Sequence, residues 1–210
     1  MLISGRGSNL AALIAAARVE RYPAEVVLVL SDNPDAGGLA HAREGGVAST
    51  VVDRRRFEMK ADFEAELDSL LRGANIELIC LAGFMRLLSH EFVEAWRDRM
   101  LNIHPSLLPL FPGLNTHERA LAAGVRVHGA TVHFVRPEID TGPIIAQGVV
   151  PVLPGDTPEG LAARVLTVEH RLYPLALKLV AGGRAKVVDN GVVIDGEKLA
   201  PDAALLSPSD

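Results

Sequence analysis

Short apolar runs alternate along the first half of the chain with stretches in which apolar residues recur at helical spacing. The runs predict strands at residues 1–4, 25–30, 48–52, 77–82 and 100–104. The stretches between them predict helices at residues 10–18, 38–44, 57–71 and 89–96. Strands that alternate with helices indicate an α/β fold with a doubly wound, mostly parallel sheet.

The second half of the chain has a different pattern. Two long apolar runs at 127–135 and 144–152 predict antiparallel strands in this half. Helices are predicted at 115–123 and at 157–181, the longer one with Thr157 as its cap and Pro158 at its first position. A hairpin is predicted at 186–194 around Asn190-Gly191, and a frayed tail at 201–210. We therefore expect one domain over residues 1–210.

Composition and charge narrow the class of protein. Hydrophobic residues make up 49% of the 210 residues, enough for a full core, but no run approaches the roughly 20 apolar residues that cross a membrane. No secretory signal precedes the first glycine-rich turn, and the single cysteine, Cys80, excludes an internal disulfide, so we expect a cytoplasmic protein without membrane association. The net charge of −5 and the scattered basic residues argue against a nucleic-acid partner.

The sequence GRGSN at residues 5–9 lies between the first predicted strand and the first predicted helix. Glycines let backbone N–H groups approach a ligand, and a helix N-terminus favours an anion, so the loop indicates a phosphate site. An NAD site is the weaker interpretation, because the third glycine of the dinucleotide pattern is absent. Asp32, after the second strand, would be the ribose-binding acid in that alternative.

A second group of polar residues lies on the fifth strand. Asn102 and His104 are two positions apart, so they point to the same face, at the end of the strand where α/β sheets bind ligands. Asp140, on the turn between the two long strands, is the best candidate for a carboxylate that orients the histidine. Any one of these residues alone would be interpreted as structural, but together they indicate a catalytic site.

The residue types limit the chemistry. Ser106 lies in a proline-bounded loop without the turn of a nucleophilic serine, and Asn102 is a poor metal ligand, so we expect neither a covalent intermediate nor a metal. An amide and an imidazolium suit a developing oxyanion, and an imidazole with a carboxylate suits proton transfer. The trio therefore predicts direct acyl transfer between two bound substrates.

These segments resemble the folate-dependent glycinamide ribonucleotide formyltransferase family. The similarity spans nearly the whole chain, through LISGRGSNL (2–10), LAGFMRLLS (81–89), LNIHPSLLP (101–109), FPG (111–113), HGATVHFV (128–135), IDTGPII (139–145) and ARV…EH…YP (163–174). The resemblance implies a Rossmann-like formyltransferase fold, with a phosphate-binding half at 1–100 and a catalytic, folate-binding half at 101–200. It implies formyl transfer from 10-formyltetrahydrofolate, as co-substrate, to glycinamide ribonucleotide in purine biosynthesis, and it leaves the oligomeric state open.

The resemblance also assigns roles to single residues. It implies that Asn102, His104 and Asp140 are catalytic. The phosphate and ribose would be held by Gly7, Ser8, Asn9 and Glu169. The folate would contact Lys60, Met85, Arg86, Leu87, Leu88, Asn102, Arg136, Pro137, Glu138, Ile139 and Asp140. The role of His133 stays open between support of the site and structure.

Two related enzymes share such a trio and remain alternatives. Methionyl-tRNA formyltransferase carries an added tRNA-binding domain and formyltetrahydrofolate hydrolase an added regulatory domain, and we find neither pattern in this sequence. A nucleotide-binding regulatory module is a third alternative, which would explain the GRGSN loop but leave the trio without a purpose.

Overall fold

The computed structural model describes residues 1–196, and its centre is a seven-stranded sheet. The strands of this sheet are β1 (Leu2–Ile3), β2 (Leu28–Ser31), β3 (Ala48–Val51), β4 (Ile79–Leu81), β5 (Met100–His104), β6 (Val127–Phe134) and β7 (Ile144–Pro151). Their order is β3-β2-β1-β4-β5-β6-β7. Strands β1 to β5 are parallel, whereas β6 and β7 are antiparallel, so the predicted fold class is confirmed.

Helices cover both faces of the sheet. They are α1 (Ser8–Ala17), α2 (Gly38–Glu44), α3 (Lys60–Gly73), α4 (His90–Ala95), α5 (Thr116–Ala122) and α6 (Pro158–Ala181). Buried residues of α1, α2, α5 and α6 share one hydrophobic cluster, and those of α3 and α4 share another. This two-sided covering explains why the strands β1, β2 and β4 are buried throughout. Within residues 1–196, no helix is long and apolar enough to span a bilayer.

The first strands are shorter than their apolar runs. Residues 25–27 were predicted as strand, but β2 begins at Leu28, where the Met1 amine donates to the Leu28 carbonyl at 2.6 Å. Leu28 is the first residue of β2 that pairs with β3, opposite Ala48, and β1 pairs from Leu30, so neighbouring strands are available only from Leu28 onward. The apolar character of a segment does not show where its neighbouring strand begins, and so does not fix where the segment starts to form a strand.

Helix starts follow the predicted caps more closely. The Ser89 hydroxyl accepts from the Phe92 N–H at 3.1 Å, and the Thr157 hydroxyl accepts from the Gly160 N–H at 3.2 Å. Helix α3 is an exception, because it begins at Lys60 rather than at residue 57 and is preceded by a 3₁₀ turn at Arg54–Arg56.

A two-stranded hairpin of β8 (Ala185–Val188) and β9 (Gly191–Ile194) follows α6. Its turn is Asp189-Asn190, not Asn190-Gly191 as predicted, and Asp189 takes the left-handed conformation, with φ 54°. Aspartate tolerates that region better than most residues, so a glycine is not needed there. The predicted tail at 201–210 lies outside the described residues.

The strand order places a topological switch between β1 and β4. From β1 the chain moves outward to β2 and β3, and then returns to the other side of β1 as β4 and β5. Loops that leave β1 and β4 therefore diverge, and the crevice between them is where open α/β sheets bind ligands.

Candidate active site

The GRGSN loop lies on the β1 side of this crevice. Gly7 is the N-cap of α1 and has φ 76°, and a Cβ there would lie 2.4 Å from the Cα of Gly38. Only glycine fits at position 7, because the backbone at Gly38 leaves no room for a side chain, and this holds whether or not the loop binds a ligand. The first-turn N–H groups of α1 have no partner within the helix, which makes them available to an anion.

The side chains at the start of α1 reach toward α6. The Asn9 amide donates to the Glu169 carboxylate at 2.7 Å, and both side chains are buried. Burial raises the pKa of Glu169, although the contact with Asn9 opposes the shift. The structure therefore brings Glu169 to the GRGSN loop, 160 residues away in sequence. Ser8 is half-buried beside them.

Asn102 lies on β5 opposite His133 of β6 in the antiparallel register. Its amide nitrogen is 3.2 Å from Nε2 of His133, and Nδ1 of His133 is 2.9 Å from the Phe134 carbonyl oxygen. Because a carbonyl only accepts, Nδ1 carries the proton, and burial lowers the pKa of His133 and keeps the ring neutral. Nε2 therefore accepts from Asn102, which fixes the amide orientation and leaves one Asn102 N–H for a ligand.

His104 ends β5 with both ring nitrogens beside acceptors. Nδ1 is 3.4 Å from the Asp140 carboxylate, and Nε2 is 3.0 Å from the Phe111 carbonyl oxygen. Because a carbonyl only accepts, Nε2 carries a proton, and a carboxylate near Nδ1 stabilises the ring when it carries a positive charge. Asp140 has φ 56° and also accepts from the Gly113 N–H at 2.8 Å, which holds the carboxylate in place. The spacing prediction for Asn102 and His104 and the turn prediction for Asp140 converge on this one site.

A cavity of about 640 Å³ opens beside the trio. Its lining includes the trio, His133 and every predicted folate residue except Lys60, namely Met85, Arg86, Leu87, Leu88, Arg136, Pro137, Glu138 and Ile139. A separate cavity of about 500 Å³ lies beyond the opposite ends of β2 and β4, away from these groups. The first cavity is therefore the candidate substrate pocket.

The structure does not support two of the sequence hypotheses, namely Lys60 as a folate contact and Asp32 as a ribose-binding acid. Lys60 lies at the start of α3, where its ammonium is 3.8 Å from the Glu64 carboxylate, and the candidate pocket is lined by other residues. Asp32, the ribose-binding acid of the NAD alternative, is buried and paired with Arg86 at 2.5 Å. A ribose hydroxyl would have to displace that guanidinium, so the structure does not favour the NAD interpretation.

Sequence reasoning left His133 undecided. The structure places it in contact with Asn102, and its Nε2 is 3.8 Å from Asp140. The available signal was a histidine inside an apolar strand, which is equally typical of a satisfied core residue. Only the register of β5 against β6 separates the two interpretations.

Comparison with known proteins decides the family. The sequence model described as "Formyl transferase" matches residues 1–177. The chain belongs to the formyl transferase family. The match ends within α6, so the assignment of all 210 residues to one domain remains a prediction.

Relatives of this formyl transferase agree with that assignment. The phosphoribosylglycinamide formyltransferase of Escherichia coli is 44% identical over 201 residues, which cover 96% of this chain and 95% of that protein. The crystal structure of glycinamide ribonucleotide transformylase 1 from Symbiobacterium toebii has a TM-score of 0.89 and 47% identity, covering 92% of this chain and 91% of that one.

A longer relative is the trifunctional purine biosynthetic protein adenosine-3 of Gallus gallus. It is 48% identical over 193 residues, which are 92% of this chain and 19% of that protein. This formyl transferase therefore corresponds to about a fifth of the length of such relatives.

We expect His133→Leu to lower kcat roughly tenfold, the scale of one lost hydrogen bond to a site residue, because Asn102 would lose the acceptor that orients it. His133→Gln offers a side-chain oxygen in place of Nε2 and should retain more activity. Steady-state assays of both variants check the orientation. Equal losses in the Leu and Gln variants would contradict it.

Stability should depend on pH through His128. Burial, with a smaller contribution from the nearby His117, lowers the pKa of His128 to about 4. The unfolded chain takes up this proton below about pH 6.5, whereas the folded chain does not, so the unfolding free energy falls as pH drops from 6.5 to 4. His128→Gln should reduce that slope by up to about 1.4 kcal/mol per pH unit in urea titrations. An unchanged slope would show that His128 does not titrate this way.

Proposed function

We propose that the enzyme transfers the formyl group of 10-formyltetrahydrofolate to the amine of glycinamide ribonucleotide. The observation that carries the proposal is the ring of His104, 3.4 Å from the Asp140 carboxylate, on the same face of β5 as the Asn102 N–H that His133 leaves unused. A cation and an amide donor at one point suit the oxyanion of a tetrahedral intermediate. The relatives named for this reaction support the same assignment.

The reaction follows from these positions. The amine attacks the formyl carbon, the C=O π bond breaks, and the electron pair moves to the formyl oxygen. Asn102 donates its remaining N–H to that oxygen, and the charge of His104 stabilises it. Asp140, directly or through water, takes up the proton that the amine loses. The electron pair on the oxygen then re-forms the C=O bond, the bond from the carbon to the folate nitrogen breaks, and this nitrogen receives the proton that Asp140 had taken up.

The two substrates approach this point from different sides. The folate would occupy the 640 Å³ cavity, where Met85 and Leu87 present exposed apolar side chains and Arg136 to Asp140 would surround the pterin. The nucleotide phosphate would bind at the start of α1, with Glu169 on the ribose side. No metal is required by this scheme, since the charged groups of the site already stabilise the oxyanion.

A product assay tests the proposal against its alternatives. The protein is incubated with 10-formyltetrahydrofolate, with and without glycinamide ribonucleotide. Formyl glycinamide ribonucleotide formed only when both are present supports the proposal. Formate released without the nucleotide would identify a hydrolase, and formylation of initiator methionyl-tRNA would identify a tRNA enzyme. Absence of all three products would favour a binding module.

The phosphate assignment has its own test. A Cβ at Gly5 meets no atom within 4 Å, so Gly5→Ala fits the fold and places a methyl group in the loop where the phosphate is expected. We expect the KM for the nucleotide to rise roughly tenfold, the scale of one lost contact to a charged group, with little change in the KM for the folate. Gly73→Ala, at a similarly open glycine, is the control. Equal changes in both constants would make the loop architectural.

A further inference from the structure

Residues 84–88 form one side of the candidate pocket, and we call them the folate wall. The wall lies between β4 and α4 and belongs to no helix or strand. The side chains of Met85 and Leu87 are 73% and 67% exposed, so burial does not anchor them. Phe84 and Leu88, at the two ends of the wall, pack against the hydrophobic cluster of α3 and α4. The exposed middle of the wall, from Met85 to Leu87, must be positioned by other contacts.

Three side chains from other elements hold this segment. The Ser4 hydroxyl, after β1, accepts from the Met85 N–H at 2.8 Å. The Glu64 carboxylate of α3 accepts from the N–H of Ser89, just beyond the wall, at 2.7 Å. The third contact is ionic, and it joins the Arg86 guanidinium to the Asp32 carboxylate at the end of β2.

The two partners of this ion pair differ in burial. The Asp32 side chain is 1% exposed, whereas the Arg86 side chain is 49% exposed and lines the pocket. The second carboxylate oxygen of Asp32 is buried, with no hydrogen-bond partner in the described part of the chain. A buried carboxylate is costly without a compensating charge, so Asp32 strongly favours the conformation in which Arg86 stays beside it.

Asp32 also belongs to the turn that adjoins the GRGSN loop. The next residue, Asn33, donates its side-chain amide to the Ser4 carbonyl at 3.2 Å, and Ser4 itself holds Met85. The end of β2 is therefore linked both to the segment before the phosphate loop and to the folate wall. A displacement of this turn would change the distance between the two substrates.

We propose that Asp32 is a positioning residue for the folate co-substrate, acting through Arg86 on the folate wall. The proposal rests on the proposed function of the pocket. Arg86 donates to Asp32 through Nε, and this contact fixes the plane of the guanidinium. The N–H groups of the two Nη atoms then remain available to a ligand. Asp32 itself, buried beneath Arg86, makes no contact with the folate in this scheme.

Asp32→Asn is the informative variant, because it keeps the shape of the side chain and leaves no buried charge behind. Arg86→Gln would instead strand the carboxylate and endanger folding. We expect Asp32→Asn to raise the KM for the folate and the Kd for tetrahydrofolate about tenfold, the scale of one charge-assisted hydrogen bond. The kcat and the KM for the nucleotide should stay within about twofold. Asp35→Asn, the same change at an exposed position of the same turn, should alter nothing.

Calorimetric binding of tetrahydrofolate separates the possible failures. If the wild type transfers formyl groups and Asp32→Asn binds folate normally, the positioning role is overturned and the proposed function stands. If Asp32→Asn weakens both substrates equally and lowers Tm, the turn is merely structural and the proposal is again overturned. If the wild type neither binds tetrahydrofolate nor transfers formyl groups, both proposals fail. A rise confined to the folate constants supports the role.

Discussion

Asp140→Asn is expected to lower kcat by roughly 10²–10⁴, the range for loss of a general acid–base group. The substitution removes the charge that faces His104 at 3.4 Å and the base that accepts the amine proton. The KM values of both substrates should change much less than kcat, because the GRGSN loop and the folate wall are untouched and asparagine keeps the shape of the side chain beside the pterin. Steady-state kinetics with each substrate varied in turn measures the separation.

The second contact of Asp140 makes this variant a fair test. The Gly113 N–H donates to the carboxylate at 2.8 Å, and the amide oxygen of asparagine can accept the same bond. Asp189→Asn is a matched control, since Asp189 also has a positive φ but is exposed in the β8–β9 turn. A fully active Asp140→Asn would refute the catalytic role. An inactive variant that has lost folate binding would make Asp140 an anchor of its loop.

His104→Ala should reduce kcat by roughly 10²-fold or more, the usual scale for a lost group that stabilises an oxyanion, and Asn102→Ala should do the same. Both side chains act on one developing charge, so the double variant should lose less than the product of the two single effects. Single-turnover assays at saturating substrate separate chemistry from product release.

The kcat values of the two variants can be compared with the wild type only if both variants remain folded. The buried ring of His104 contacts the Asp140 carboxylate and the Phe111 carbonyl oxygen. Near-ultraviolet circular dichroism close to that of the wild type would show that the loss of these contacts leaves the fold intact. Normal turnover by a folded His104→Ala would remove the histidine from the chemistry. Fully multiplicative losses would mean that Asn102 and His104 act at different steps.

The parts of the site on regular strands could be predicted from sequence. The two-residue period of a strand places Asn102 and His104 on one face, and the alternation of strands and helices places that face at the ligand-binding edge. The GRGSN loop was predictable for a similar reason, since it lies between a strand and a helix. These predictions depend on local geometry, which follows from the spacing of residues along the sequence.

The parts of the site that depend on long-range contacts could not be derived from residue patterns. Nothing in the spacing joins Glu169 to Asn9, Asp32 to Arg86, or His133 to Asn102. Similarly, the hydrogen bond from His104 to the Phe111 carbonyl oxygen depends on the path of an irregular loop. Family resemblance supplied some of these residues, but their partners are fixed by strand register and by loop conformation.

The folate wall and the trio differ in how they are built, and this has a consequence for divergence. Asn102 and His104 lie on a strand that is hydrogen-bonded on both sides, so replacing that strand disturbs the whole sheet. The wall is held by a few side chains, and its sequence can change without breaking a ladder. Preference for one folate over another can thus evolve in the wall while the formyl-transfer chemistry is inherited unchanged with the sheet.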